Sequence, residues 1–125
     1  MPVKAGGMPD FDSVQVDMIM QRFNVESGPY GLIHRVPGSC AYTDIFVGGG
    51  NSLEFDRPGG AAVFQLIWEL LDVCGAVVFD PGTMASAVSR SDVRDAMPPE
   101  YPVIPYVAAT WQELMSSTWE VGDPV

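Results

Sequence analysis

Three observations predict an α+β fold. Short stretches rich in β-branched and aromatic residues, punctuated by Gly and Pro, fill the first half of the chain. A long, almost wholly apolar segment with a strong helical pattern, Ala61–Cys74, follows them. Beyond it come an apolar run of strand character and two further helical stretches. Strands gathered early and helices late favour a mainly antiparallel sheet of four to five strands with about three helices packed on one face.

Residues 1–12 read as a flexible leader, because Gly6, Gly7 and Pro9 break regularity and no period is visible. Residues 13–125 then form a single domain. Over 14–20, Val14, Val16, Met18 and Met20 alternate with Gln15 and Asp17, which predicts a half-buried strand, imperfect because Ile19 and Phe23 fall on the polar side. Ser27-Gly28-Pro29 turns the chain into a second strand at 30–36. Pro37-Gly38 suits a type II turn, since Pro presets φ at the first central position and Gly supplies positive φ at the second. A third strand covers 40–47, Gly48-Gly49-Gly50-Asn51 turns again, and Leu53 and Phe55 bracket Glu54 in a short fourth strand. Successive hairpins of this kind make an antiparallel meander.

In Ala61–Cys74, Gln65, Glu69 and Asp72 fall at i, i+4 and i+7 and form one narrow polar stripe. A stripe this thin requires a helix covered on most sides, lying across the sheet. Asp56 is the candidate N-terminal cap and Gly75 the left-handed residue that ends the helix. The continuous apolar run at 76–79 predicts a strand buried on both faces or central in the sheet. Residues 84–97 predict a weaker helix with Ser91 as a cap inside it, and Pro98, Pro99, Pro102 and Pro105 impose an extended connection. Thr110-Trp111-Gln112-Glu113 matches a capping box and opens a last helix over 111–118.

Composition narrows the function classes. Sixteen acidic residues face six basic ones, for a net charge of −10, yet only 18% of residues are charged and 47% are hydrophobic. That balance describes a folded domain rather than a disordered acidic tail. Its field attracts cationic partners and repels nucleic acid and anionic membranes. A chain of 125 residues buries enough surface to fold without disulfides or metals. Cys40 and Cys74 read as small buried hydrophobes with free thiols, and a bridge between them stays open if the domain is exported. The first twelve residues lack the apolar core of a secretory signal and no apolar run approaches a membrane span, so a cytoplasmic location is expected.

Catalytic chemistry finds little support. His34, the single histidine, lies mid-strand beside Arg35; as a base it would need a partner such as Ser39, Cys40 or Asp44, and nothing local specifies one. Two cysteines and one histidine show no ligand spacing, so neither metal nor cofactor is expected. No helix directly follows Gly48-Gly49-Gly50, and Gly59-Gly60 opens a helix beside Asp56 without a phosphate-binding lysine; hairpin and cap roles account for both clusters. The closest carboxylate pairs, Asp10/Asp12, Glu54/Asp56 and Asp92/Asp95, match no calcium loop, and the last reads as a helix face paired with Arg90 and Arg94. Asp80, in Asp-Pro-Gly, reads as a turn starter. No catalytic residue is assigned.

Partner binding is the better reading. If helices cover one face of the sheet, Asp17, Gln21 and Glu54 lie on the other, with Asp44 included although its strand lacks clean alternation. Like charges gathered on one face cost stability, so an acidic face suits a basic protein. Trp68 belongs to the core helix; Trp111 and Trp119 are candidates for an aromatic contact patch, with core packing as their competing role.

The apolar helix running into Val73-Cys74-Gly75-Ala76-Val77-Val78-Phe79-Asp80-Pro81, with Tyr106-Val107-Ala108-Ala109-Thr110-Trp111-Gln112-Glu113-Leu114 further on, resembles in plan the small acidic bacterial immunity proteins that neutralise type VI secretion or contact-dependent toxins. The likeness is one of size, acidity and element order, and transfers no individual residue. It implies a non-catalytic inhibitor that occludes a basic toxin or effector. Two other readings stand beside it. One is a small-molecule-binding domain or small enzyme with a pocket between helix and sheet near His34, Tyr42 or Asp80. The other is a homodimer joined through a sheet edge or the tryptophan patch.

Overall fold

A computed structural model describes residues 1–3, 10–27, 33–35, 44–47, 52–56, 60–83, 85–98 and 104–116. The elements in chain order are α1 (Ser13–Arg22), β1 (Glu26–Ser27), β2 (Ile33–Arg35), β3 (Asp44–Val47), β4 (Leu53–Asp56), α2 (Ala61–Cys74), β5 (Val78–Asp80), β6 (Ala85–Val88), α3 (Ser91–Asp95), β7 (Tyr106–Val107) and α4 (Trp111–Ser116). The class is α+β, as the sequence predicts. The single sheet with three helices on one face is not what forms: the described strands make two sheets, ordered β1-β2-β3-β4 and β5-β6-β7, accompanied by four helices. The expected turns at 28–29, 37–38 and 48–51, together with Cys40, Tyr42 and Trp119, lie outside the described residues.

The strand expected at 14–20 is instead α1. Both periods fit this short segment, and its ends decide between them. Asp12 caps the helix, its Oδ1 accepting from the Val14 and Gln15 N–H groups at 2.9 and 3.3 Å. At the other end Asn24 takes the left-handed conformation with φ 52°. The Asn24 N–H donates to Gln21 O and the Val25 N–H to Met20 O, which closes a Schellman motif. Val16, Ile19, Met20 and Phe23, spaced i, i+3, i+4 and i+7, turn inward.

The helix α2 has the predicted bounds and is the centre of the fold. Val63, Leu66, Ile67, Leu70 and Leu71 are buried, and α2 packs against both α1 and α4. Its end is as expected, with Gly75 left-handed at φ 60° and ψ 51°. Its start is not: Asp56 ends β4 in register with Asp44, and Gly60 occupies the cap position at φ 88° without a side-chain hydrogen bond. A positive φ there suits a residue with no Cβ.

The apolar run at 76–79 is not a central strand. Ala76 and Val77 are buried, but β5 starts at Val78, stands at one end of the order β5-β6-β7, and has Phe79 exposed. The central strand is β6, inside the segment expected to be helical; the short α3 does follow, but its cap position is Arg90, without a side-chain cap hydrogen bond, and Ser91, the expected cap, is its first helical residue. Ala85-Ser86-Ala87-Val88 carries little β-propensity of its own, and burial on both sides sets its conformation. Ala87 joins the main core with Ala76, Ala108 and the α2 side chains, whereas Val88 joins a second cluster with Val3, Val77 and Val93. The helices therefore do not share one face, since Val93 of α3 packs on the side away from α2.

The chain start contributes to the second cluster. Val3 is buried, its N–H donates to Gly75 O at 2.8 Å, and the Val77 N–H donates to Met1 O at 2.8 Å. Pro2 and Ala76 form the antiparallel bridge between these bonds. The α-amino group of Met1 donates to Val77 O at 2.8 Å, and burial pushes it down from 8.0 to about 6.

Candidate partner-binding surface

The arginines with described side chains are all tied to carboxylates of the same chain. Arg22 Nη2 meets Glu69 Oε2 at 3.0 Å and joins α1 to α2. Arg90 lies 3.5 Å from Asp72 Oδ1, donates to the Asp72 backbone oxygen, and meets Asp92 Oδ1 at 3.0 Å. Arg94 and Asp95 pair at 3.2 Å, so Asp92 and Asp95 form the locally paired helix face expected of them. Each such pair contributes little to stability on its own. Their consequence for the surface is larger, because these cations are no longer available to balance other acids.

Several carboxylates have internal tasks. Asp12 caps α1, and Asp80 Oδ1 accepts from the Gly82 N–H at 2.9 Å, the turn role expected of it. Glu113 Oε2 accepts from the Ala109 N–H at 2.7 Å while Thr110 Oγ1 accepts from the Glu113 N–H at 3.2 Å, so the expected capping box opens α4 with the backbone donor to Glu113 shifted one residue upstream. Asp10, Asp17 and Glu54 are different. All are exposed, and among the described residues none has a cationic or hydrogen-bonded partner, whereas the exposed Glu26 stands opposite Arg35 in the sheet register.

The residues expected to share one acidic sheet face are divided between two surfaces. Asp17 and Gln21 are exposed on α1, because that segment is a helix. Asp44 and Glu54 do lie in the four-stranded sheet. Its register aligns Glu26, Arg35, Asp44 and Asp56 in one cross-strand row, and Ile33, Phe46 and Glu54 in the next. Residues paired this way share a face. His34 belongs to the alternate row with Ser27, Ile45 and Phe55, and Ile45 is fully buried.

Trp111 begins α4 and is half-buried. Trp68 donates its indole N–H to Ala108 O at 3.0 Å and ties α2 to the segment after β7. Cys74 is a free, half-buried thiol, pushed up by burial and by Asp12, with the Met1 amino group acting the other way. Among the described residues no group of three or more His, Cys, Asp or Glu is arranged to hold a metal ion. No helix among them is long and apolar enough to cross a membrane.

Sequence reasoning missed Val14 and Met18. They are 64% and 62% exposed, the most accessible large hydrophobic side chains among the described residues. They lie one turn apart on α1, with Asp17 beside Val14 at i+3 and Gln21 beside Met18 at i+3. The i, i+4 spacing was the available signal, and reading the segment as a strand hid it. No family model matches the chain, and no curated protein or solved structure matches it.

Proposed function

We propose that this chain is a non-catalytic acidic protein-binding module, an immunity or inhibitor protein of bacterial type that occludes a basic toxin or effector. The observation that carries the reading is the asymmetry of charge use. Arg22, Arg90 and Arg94 are spent on carboxylates of the same chain, whereas Asp10, Asp17 and Glu54 stay exposed with no described partner. Folding does not call for such acids, and their mutual repulsion works against the compact state. A cationic partner relieves the repulsion and is steered toward it.

The test is association with the product of the neighbouring gene, which this reading expects to be basic, followed at rising salt. The association rate should fall steeply with ionic strength, and Asp17→Lys combined with Glu54→Lys should slow it further while leaving the melting temperature in place. A rate indifferent both to salt and to these reversals, or no association with a basic neighbour, overturns the proposal.

A further inference from the structure

We infer that the outward face of α1 is a docking surface for a cationic amphipathic segment of a protein partner, with Val14 and Met18 taking its apolar side chains and Asp17 its Lys or Arg. This deepens the protein-binding reading and rests on it. The face combines the two most exposed large hydrophobics described in the chain with an acid that has no described partner. Met18 lies one turn after Val14 and Gln21 one turn after Asp17, so a facing helix or strand meets an apolar pair and a polar pair at matched spacing.

The helix presenting this face is held at both ends and along one side. Asp12 caps its start, the Asn24 motif closes its end, and Arg22 clamps it to Glu69 of α2. A surface fixed this way before binding loses less freedom on docking. The clamp also engages the one basic side chain of α1, Arg22, which stays 57% exposed one turn beyond Met18, so Asp17 is the charge on this side of the helix that has no described partner. That charge selects the occupant. A second copy would bring Asp17 toward Asp17 between two chains of net −10, so self-association through this face is disfavoured, and a cationic partner is favoured.

The experiment maps a synthetic Leu/Lys peptide with helical spacing onto the isotope-labelled full chain by amide chemical shifts. Shifts should centre on residues 13–22. Val14→Ser with Met18→Ser should weaken binding about tenfold without lowering the melting temperature, since both side chains are exposed. Asp17→Asn should flatten the salt dependence. Shifts confined to the sheet around Glu26 and Glu54, or wild-type affinity in the double serine variant, overturn the α1 assignment and leave the acidic-module reading standing. Dimerisation closing on α1 at high concentration also overturns the assignment. Absence of peptide binding even at low salt counts against both.

Discussion

Two buried serines three residues apart should respond in opposite directions to the same substitution. Ser86 on β6 is 1% exposed and its Oγ has no hydrogen-bond partner among the described residues. Ser89, 7% exposed, donates to Asp72 Oδ1 at 3.1 Å. An unsatisfied buried hydroxyl costs roughly 1–3 kcal/mol, and Ser86→Ala removes that cost. The void left by one oxygen, about 10 Å³, returns only roughly 0.2 kcal/mol at the usual cavity coefficient. The net expectation is stabilisation of about 1 kcal/mol. At roughly 2.1 cal/mol/K of unfolding entropy per residue, a domain this size should gain about 4 °C in melting temperature. Ser89→Ala removes a hydrogen bond to a carboxylate that is also near Arg90, and should cost about 1 kcal/mol. Thermal and urea unfolding of both variants, with unchanged m-values, measures the pair. A loss of 1 kcal/mol or more in Ser86→Ala, or the same sign in both variants, would refute the account of Ser86 as a buried, unpaired hydroxyl.

Other perturbations test the helix ends, the chain start and the indole tie. Asn24→Gly should be neutral or slightly stabilising, because φ 52° costs glycine nothing, whereas Asn24→Val should lose roughly 1–2 kcal/mol in a denaturant titration. Gly75→Ala should lose a similar amount from its φ of 60° alone, since the added Cβ meets Arg90 Nη2 at 3.5 Å and Val93 Cγ2 at 3.8 Å, both ordinary contacts. For the Met1 amino group, the folded value of about 6 lies below the ordinary 8.0, so the unfolded chain binds the proton more readily between those values. Stability is therefore full above pH 8 and falls by about 3 kcal/mol as pH drops to 6, with no further loss from this group below that. Amino-terminal acetylation should abolish this part of the slope in a pH series of unfolding curves. Trp68→Phe, which leaves Ala108 O without its indole donor, should cost about 1–2 kcal/mol in urea unfolding.

Local chemistry was readable where one period or one residue type dominated. The narrow stripe of Gln65, Glu69 and Asp72 identified α2, Gly75 identified its end, and Thr110 with Glu113 identified the start of α4. It failed where two periods fitted one segment. Val14, Val16, Met18 and Met20 alternate as a strand does, while Val16, Ile19, Met20 and Phe23 repeat as a helix does, and Asp12 with Asn24 decides for the helix. It failed again at β6, where Ala85, Ser86 and Ala87 carry no strand signal and gain their conformation from burial between α2 and the second cluster. Sheet membership was beyond reach for a related reason. Whether strands join one sheet or two depends on contacts between distant segments, such as Met1–Val3 against Gly75–Val77, which no local pattern encodes.

The misreading of α1 alters what the negative charge means. On a strand, Asp17 and Gln21 would have been part of a polar sheet face with Asp44 and Glu54, and acidity alone would have described the surface. On a helix, the same Asp17 stands one turn from Val14, beside the exposed pair of Val14 and Met18. Acidity alone attracts any polycation, whereas an acid set beside an exposed apolar pair favours a segment that presents a cation and apolar groups at matching spacing. The structure's use of arginine points the same way. Arg22 binds α1 to α2 and Arg90 binds the end of α2 to the start of α3, so two of the described cations hold elements together. Among the described residues, arginines engaged at the joints between elements and acids left without partners bias the surface toward negative charge while the helix carrying the apolar pair stays fixed.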